Sequence, residues 1–101
     1  MFGGIDAPLK VSLDVFRHAI RHEQKLRIQY QNAESIHSDR TILPLALTYY
    51  VEVAVVSAWC ELRGDFRHFR ADRVLDCQAL TQNFHGRGQQ LRRRMDLATP
   101  E

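Results

Sequence analysis

The residues of this chain best suited to chemistry are arginines. Arg63, Arg67, Arg70 and Arg73 fall within the stretch from Trp59 to Val74, with the rings of Trp59, Phe66 and Phe69 between them. A guanidinium is a planar fork of N–H donors that matches phosphate and carboxylate, and it stays charged at physiological pH. Rings interleaved with arginines either fill a core or stack nucleobases. Two readings of the stretch stay open. In one it is an anion or nucleic-acid site. In the other Asp65, Asp72 and Asp76 pair the arginines off as structural salt bridges. Arg40, which follows Asp39, joins the first reading only if the fold carries it near Arg67 or Arg70.

Other chemistries find less support. His18 and His22 stand at i, i+4 and could share a metal, but Ala19 follows His18 where a zinc-protease helix carries Glu. A solvated helix face is the expectation there. His37, His68 and His85 have no ligand spacing, and Ser12, Ser35, Ser38 and Ser57 lack the glycines of a nucleophile elbow. There is no Gly-rich phosphate loop and no paired-carboxylate site, so the chain is expected not to be an enzyme and to use no cofactor or metal. Arg92-Arg93-Arg94 reads as a solvated, fraying helix or as an auxiliary phosphate contact. Cys60 and Cys77 read as two reduced thiols.

Size and composition set the frame. The chain has 101 residues, enough for one small domain, and its 45% apolar share suits a core without metal or disulfide staples. The longest apolar run, around Val53–Val56, is far too short to span a bilayer. Met1-Phe2-Gly3-Gly4 lacks the layout of a signal peptide, so a cytoplasmic protein is expected. The net charge of +2 alone does not suggest nucleic acid. The kind of base says more: of 14 basic residues only Lys10 and Lys25 are not arginine. That bias fits oriented anion contacts, with a coding bias as the plainer alternative.

The elements that must position these groups follow from periodicity. After a loose lead-in at 1–11, Ser12 is a plausible N-cap and Leu13, Phe16, Ala19 and Ile20 recur at helical spacing, predicting a helix over about 13–24. Leu26-Arg27-Ile28-Gln29-Tyr30 alternates as a half-buried strand. Further strands are expected at Asp39–Leu43, Leu45–Tyr50, Val53–Trp59, Phe66–Arg70 and Leu75–Thr81, with Pro44 marking an edge or a bend. Val53–Trp59 is the most buried by its β-branched content. Along Phe66–Arg70 both faces mix a ring with an arginine, which suggests a bulge or a semi-buried anion pocket. Gln89–Leu97 could form a basic helix. One helix followed by five or six short strands predicts a mainly β, α+β fold: a small five-stranded antiparallel barrel over 1–84, then a basic tail or helix over 85–101. No helix-turn-helix pattern is present.

The stretch Ala58-Trp59-Cys60-Glu61-Leu62-Arg63, followed by Phe66-Arg67-His68-Phe69-Arg70-Ala71-Asp72-Arg73-Val74, resembles the WYL domain of bacterial transcriptional regulators. Phe16–Ile20, Leu26–Tyr30 and Arg40–Pro44 extend the match to roughly 12–84. The pattern Arg-x-Phe-Arg-x-Asp-Arg-hydrophobic at 67–74 is its specific part. The triplet that names the family falls at Ala54-Val55-Val56, without the Trp and Tyr.

The resemblance implies an Sm-like, SH3-type five-stranded barrel that senses an effector through a basic pocket, binding single-stranded DNA or RNA or a nucleotide. Arg40, Arg67, Arg70 and Arg73 match the family's basic positions, and Arg63 is a looser candidate. It also implies a helix-turn-helix domain, in an excised or stand-alone context, and a homodimer as a candidate assembly. The competing expectation is a protein-interaction or oligomerisation module, with Asp39–Leu43 as its exposed edge.

Overall fold

The computed structural model describes residues 9–98, so the lead-in read at 1–11 lies, as far as Pro8, outside the described residues. Helix α1 (Leu13–His22) is capped by Ser12, whose Oγ accepts the Asp14 N–H at 3.2 Å. It buries Phe16 and Ala19. The helix ends two residues before its expected limit because Glu23 turns left-handed, with φ 51°, and Gln24 already begins strand β1 (Gln24–Gln31). In β1 the buried residues are Leu26, Ile28 and Tyr30, as the alternation requires.

Next come β2 (His37–Tyr49), β3 (Ala54–Cys60), β4 (Asp65–Arg70), a 3₁₀ turn (Ala71–Arg73), β5 (Val74–Asn83) and helix α2 (Gly88–Ala98). The strands form one antiparallel sheet in the order β4-β3-β2-β1-β5. The expected helix and five antiparallel strands are therefore present. The expected barrel is not closed: β4 and β5 lie at the two ends of an open sheet and share no ladder. The hydroxyl of Tyr30 spans this seam, accepting the backbone N–H of Arg70 at 3.1 Å.

Two further expectations, both about β2, are corrected. The strands foreseen at Asp39–Leu43 and Leu45–Tyr50 are one continuous strand, β2. Pro44 does not end it, because the register shifts between Pro44 and Ala46 and the missing N–H falls at that irregularity. Asp39–Leu43 is not an edge either, since β2 lies between β1 and β3.

The sheet is covered on both faces. Phe16, Leu26, Ile28, Ile42, Val56, Ala58, Cys60, Phe69 and Val74 form the core beneath α1. Leu43, Leu45, Phe84, Leu91 and Met95 form a second core beneath α2, with Trp59 and Phe66 packed against it. This double cover explains why Ala54–Cys60 is apolar on both faces at every position but Ser57. It also resolves the mixed faces of β4, which pairs with β3 without a register shift. Phe69 faces the first core and Phe66 the second. The carboxylate of Glu23 joins the two helices, accepting the N–H groups of Gly86 at 2.6 Å and Gly88 at 3.0 Å. A Cβ at Gly88 would collide with that carboxylate.

Candidate nucleic-acid interface

Cross-strand partners share a face of the sheet, so the register sorts the arginines. Arg67 lies opposite Ala58 and Phe69 opposite Val56, on the α1 face. Arg40 lies opposite Ile28, on that same face. Its guanidinium carbon stands 5.9 Å from the centroid of the Phe69 ring. The fold thus does carry Arg40 to β4, beside the residue two places along from Arg67.

Arg40 is half-buried, and its polar contacts are neutral. Its Nε donates to Ser38 Oγ at 3.1 Å and its Nη1 to Cys60 Sγ at 3.5 Å. Ser38 in turn lines a cleft of about 320 Å³ with Gln29, His37 and Asp39. Tyr30 packs against the Phe69 ring, edge to face at 5.0 Å. The guanidinium therefore lies over a braced ring, and among the described residues no carboxylate pairs with it.

Arg70 is arranged differently. It lies opposite Val55, on the other face, and folds back onto Asp72: Nε donates to Oδ1 at 3.0 Å and Nη2 to Oδ2 at 2.9 Å. The two-point pair holds the Asp72 carboxyl below its usual range and raises Arg70, the hydrogen bonds being the largest cause in both. The salt-bridge reading thus holds for this arginine. It does not extend further: among the described residues Arg40, Arg63, Arg67 and Arg73 form no ion pair. Asp65 is taken up by the Phe66 N–H at 2.7 Å. Arg73 is half-buried in the 3₁₀ turn, and Asp72 beside it is held by Arg70. Arg63 is exposed in the turn between β3 and β4, which Gly64 permits with φ 61°.

The structure therefore brings Arg40 and Arg67 to one face, sets Arg70 and Arg73 at the end of β4, and leaves Arg63 at its start. Because β4 is an edge strand, side chains of both faces reach the same open border.

Some features were not anticipated. Ser57 Oγ and His68 Nδ1 lie 2.8 Å apart on the α2 face. The basic run of α2 is neither frayed nor wholly solvated. Arg94 lies over Trp59 at 5.3 Å and Phe66 at 5.8 Å, and Arg92 donates to the Leu45 carbonyl at 3.3 Å. Leu91 and Met95, four apart, were the available sign that this helix packs. Burial raises the Cys77 thiol to about 12. Among the described residues, no helix is long and apolar enough to cross a membrane.

No curated protein matches the chain. Among solved structures it is similar to the Proteasome accessory factor B/C (PafBC) of Arthrobacter aurescens, with a TM-score of 0.67 and 22% identity. That likeness covers 85% of this chain and 14% of the other, and it bears on the fold. The model of the WYL domain family matches residues 11–79, from just before α1 into β5. That span takes in Arg40, the Phe69 stack and all the arginines of the β4 segment, and on it the chain belongs to the WYL domain family.

Proposed function

We propose that this chain is the effector-sensing module of a cytoplasmic transcriptional regulator. A phosphate of a single-stranded oligonucleotide or of a nucleotide docks on Arg40 and Arg67. Arg63 extends the cationic track along β4, and Arg70 and Arg73 frame its far end. The observation that carries this reading is Arg40, a half-buried guanidinium held only by neutral partners. Burying a charge without a counter-charge is costly, so a site that does so is poised for an anion. Binding would act by population shift, favouring one orientation of an attached DNA-binding domain.

The test is fluorescence anisotropy with a labelled short single-stranded DNA at two salt concentrations. Binding that weakens with salt and is lost in a folded Arg40→Gln, Arg67→Gln double variant supports the reading. A well-folded protein that binds nothing at low salt overturns it.

The open edges of β4 and β5 favour a second reading, strand pairing with another chain. A salt-independent dimer without oligonucleotide affinity would select it.

A further inference from the structure

A second cleft, of about 330 Å³, opens where the last turns of α1 meet the end of β5. It is lined by His18, His22, Gln24, Thr81, Asn83 and His85. Three of its six residues are histidines, brought together from α1 and from the segment after β5.

We infer that this cleft is a binding site for a borderline divalent cation such as Zn²⁺ or Ni²⁺, chelated by His18 and His22. The first ground is the ligand pair. The two imidazoles stand one helical turn apart, with ring centroids 4.1 Å from each other and planes tilted by 36°. Both are exposed, so neither is committed to the core. Two neutral imidazoles on adjacent turns form a bidentate clamp for metals that prefer nitrogen.

The second ground is the field at that place. His22 is the last residue of α1, where the helix presents its negative end and favours a cation. The third is His85. Its Nε2 lies 2.9 Å from the His22 carbonyl, which can only accept, so Nε2 carries the proton. That bond ties the backbone that carries His22 to the segment after β5. Asn83 steadies His85 in turn, its side-chain oxygen accepting the His85 N–H at 3.2 Å.

Among the described residues no three His, Cys, Asp or Glu side chains stand ready as one ligand set. The site is therefore a two-histidine clamp, with the remaining positions left to water and to the amide and hydroxyl oxygens of the cleft. The nearby Glu23 carboxylate is engaged by Gly86 and Gly88.

The experiment is isothermal titration of the untagged chain with zinc chloride and, separately, nickel chloride, alongside amide NMR spectra with zinc. Binding at one equivalent is expected, with shifts centred on His18, His22 and Asn83. His18→Gln and His22→Gln should each weaken it about tenfold or more, with unchanged circular dichroism. Absence of heat with both metals overturns the inference. So does binding that survives both substitutions, or shifts centred on Cys77 instead. Because His18 and His22 are not among the residues proposed to hold the oligonucleotide, oligonucleotide binding in these variants tests the two sites separately.

Discussion

Arg40 lies over Phe69 on one face of the sheet, and Arg94 lies over Trp59 and Phe66 on the other. The contact is of the same kind, but the surroundings differ. Arg94 belongs to a helix whose Leu91 and Met95 are buried, and its guanidinium lies on the rings that this helix covers. Arg40 comes from the sheet itself, is half-buried, and rests on a ring already braced by Tyr30. The first arginine fastens an element down. The second is presented by a surface that is already rigid. Guanidinium over aromatic ring is therefore not a functional signature by itself; what separates the two is whether the charge still has work left after packing.

Removing the rings strikes hardest. Phe69→Ala opens the α1 core and should cost about 3–5 kcal/mol by urea denaturation, while Leu91→Ala in the α2 core should cost about 2–5 kcal/mol. A small loss for Phe69→Ala would mean that Arg40 has no rigid platform. Next is the binding contrast. Arg40→Gln should weaken oligonucleotide affinity about tenfold or more, the scale of a lost charge-assisted hydrogen bond, whereas Arg94→Gln should leave affinity unchanged. Equal effects would erase the distinction between the faces.

The Arg70–Asp72 pair comes third. Its side chains are 41% and 12% exposed, so its strength is that of a partly screened pair, about 1 kcal/mol. The folded-state pKa of Asp72 is depressed. Its contribution is therefore complete above the ordinary carboxylate range near pH 4 and is lost as pH falls through the lower folded value. Asp72→Asn should flatten that part of an acid-unfolding curve. The smallest effect is Arg94→Ala on stability, about 0.5–1 kcal/mol by thermal melting.

Much of the frame could be read from residue order, and the reasons are local. The period of two in Leu26–Tyr30 and the capped helical stripe after Ser12 need no tertiary information. The parity that puts Arg67 and Phe69 on one face of β4 is equally local. The unity of β2 was hidden because a proline within a strand signals a break unless the bulge that accommodates it is known. The end of α1 at His22 was hidden because Glu23 is an unusual left-handed residue, stabilised by N–H groups from 63 and 65 positions away. The meeting of Arg40 with Phe69 depends on sheet order, which periodicity does not specify. Asp65, Asp72 and Asp76 were all open as partners for the arginines, and only the two-point geometry shows that Arg70 takes Asp72.

The open seam between β4 and β5 has a mechanical consequence. Four strand pairs are laced by antiparallel ladders, and Glu23 clasps α1 to the start of α2. Across the seam the described backbone is bridged by the Tyr30 hydroxyl and carried over by one short turn. The seam is thus the border of the sheet held by the fewest backbone hydrogen bonds, and amide hydrogen exchange is expected to be fastest along it. The arginines of β4 stand on that border, so a ligand gripping them would tie down the least-laced part of the sheet.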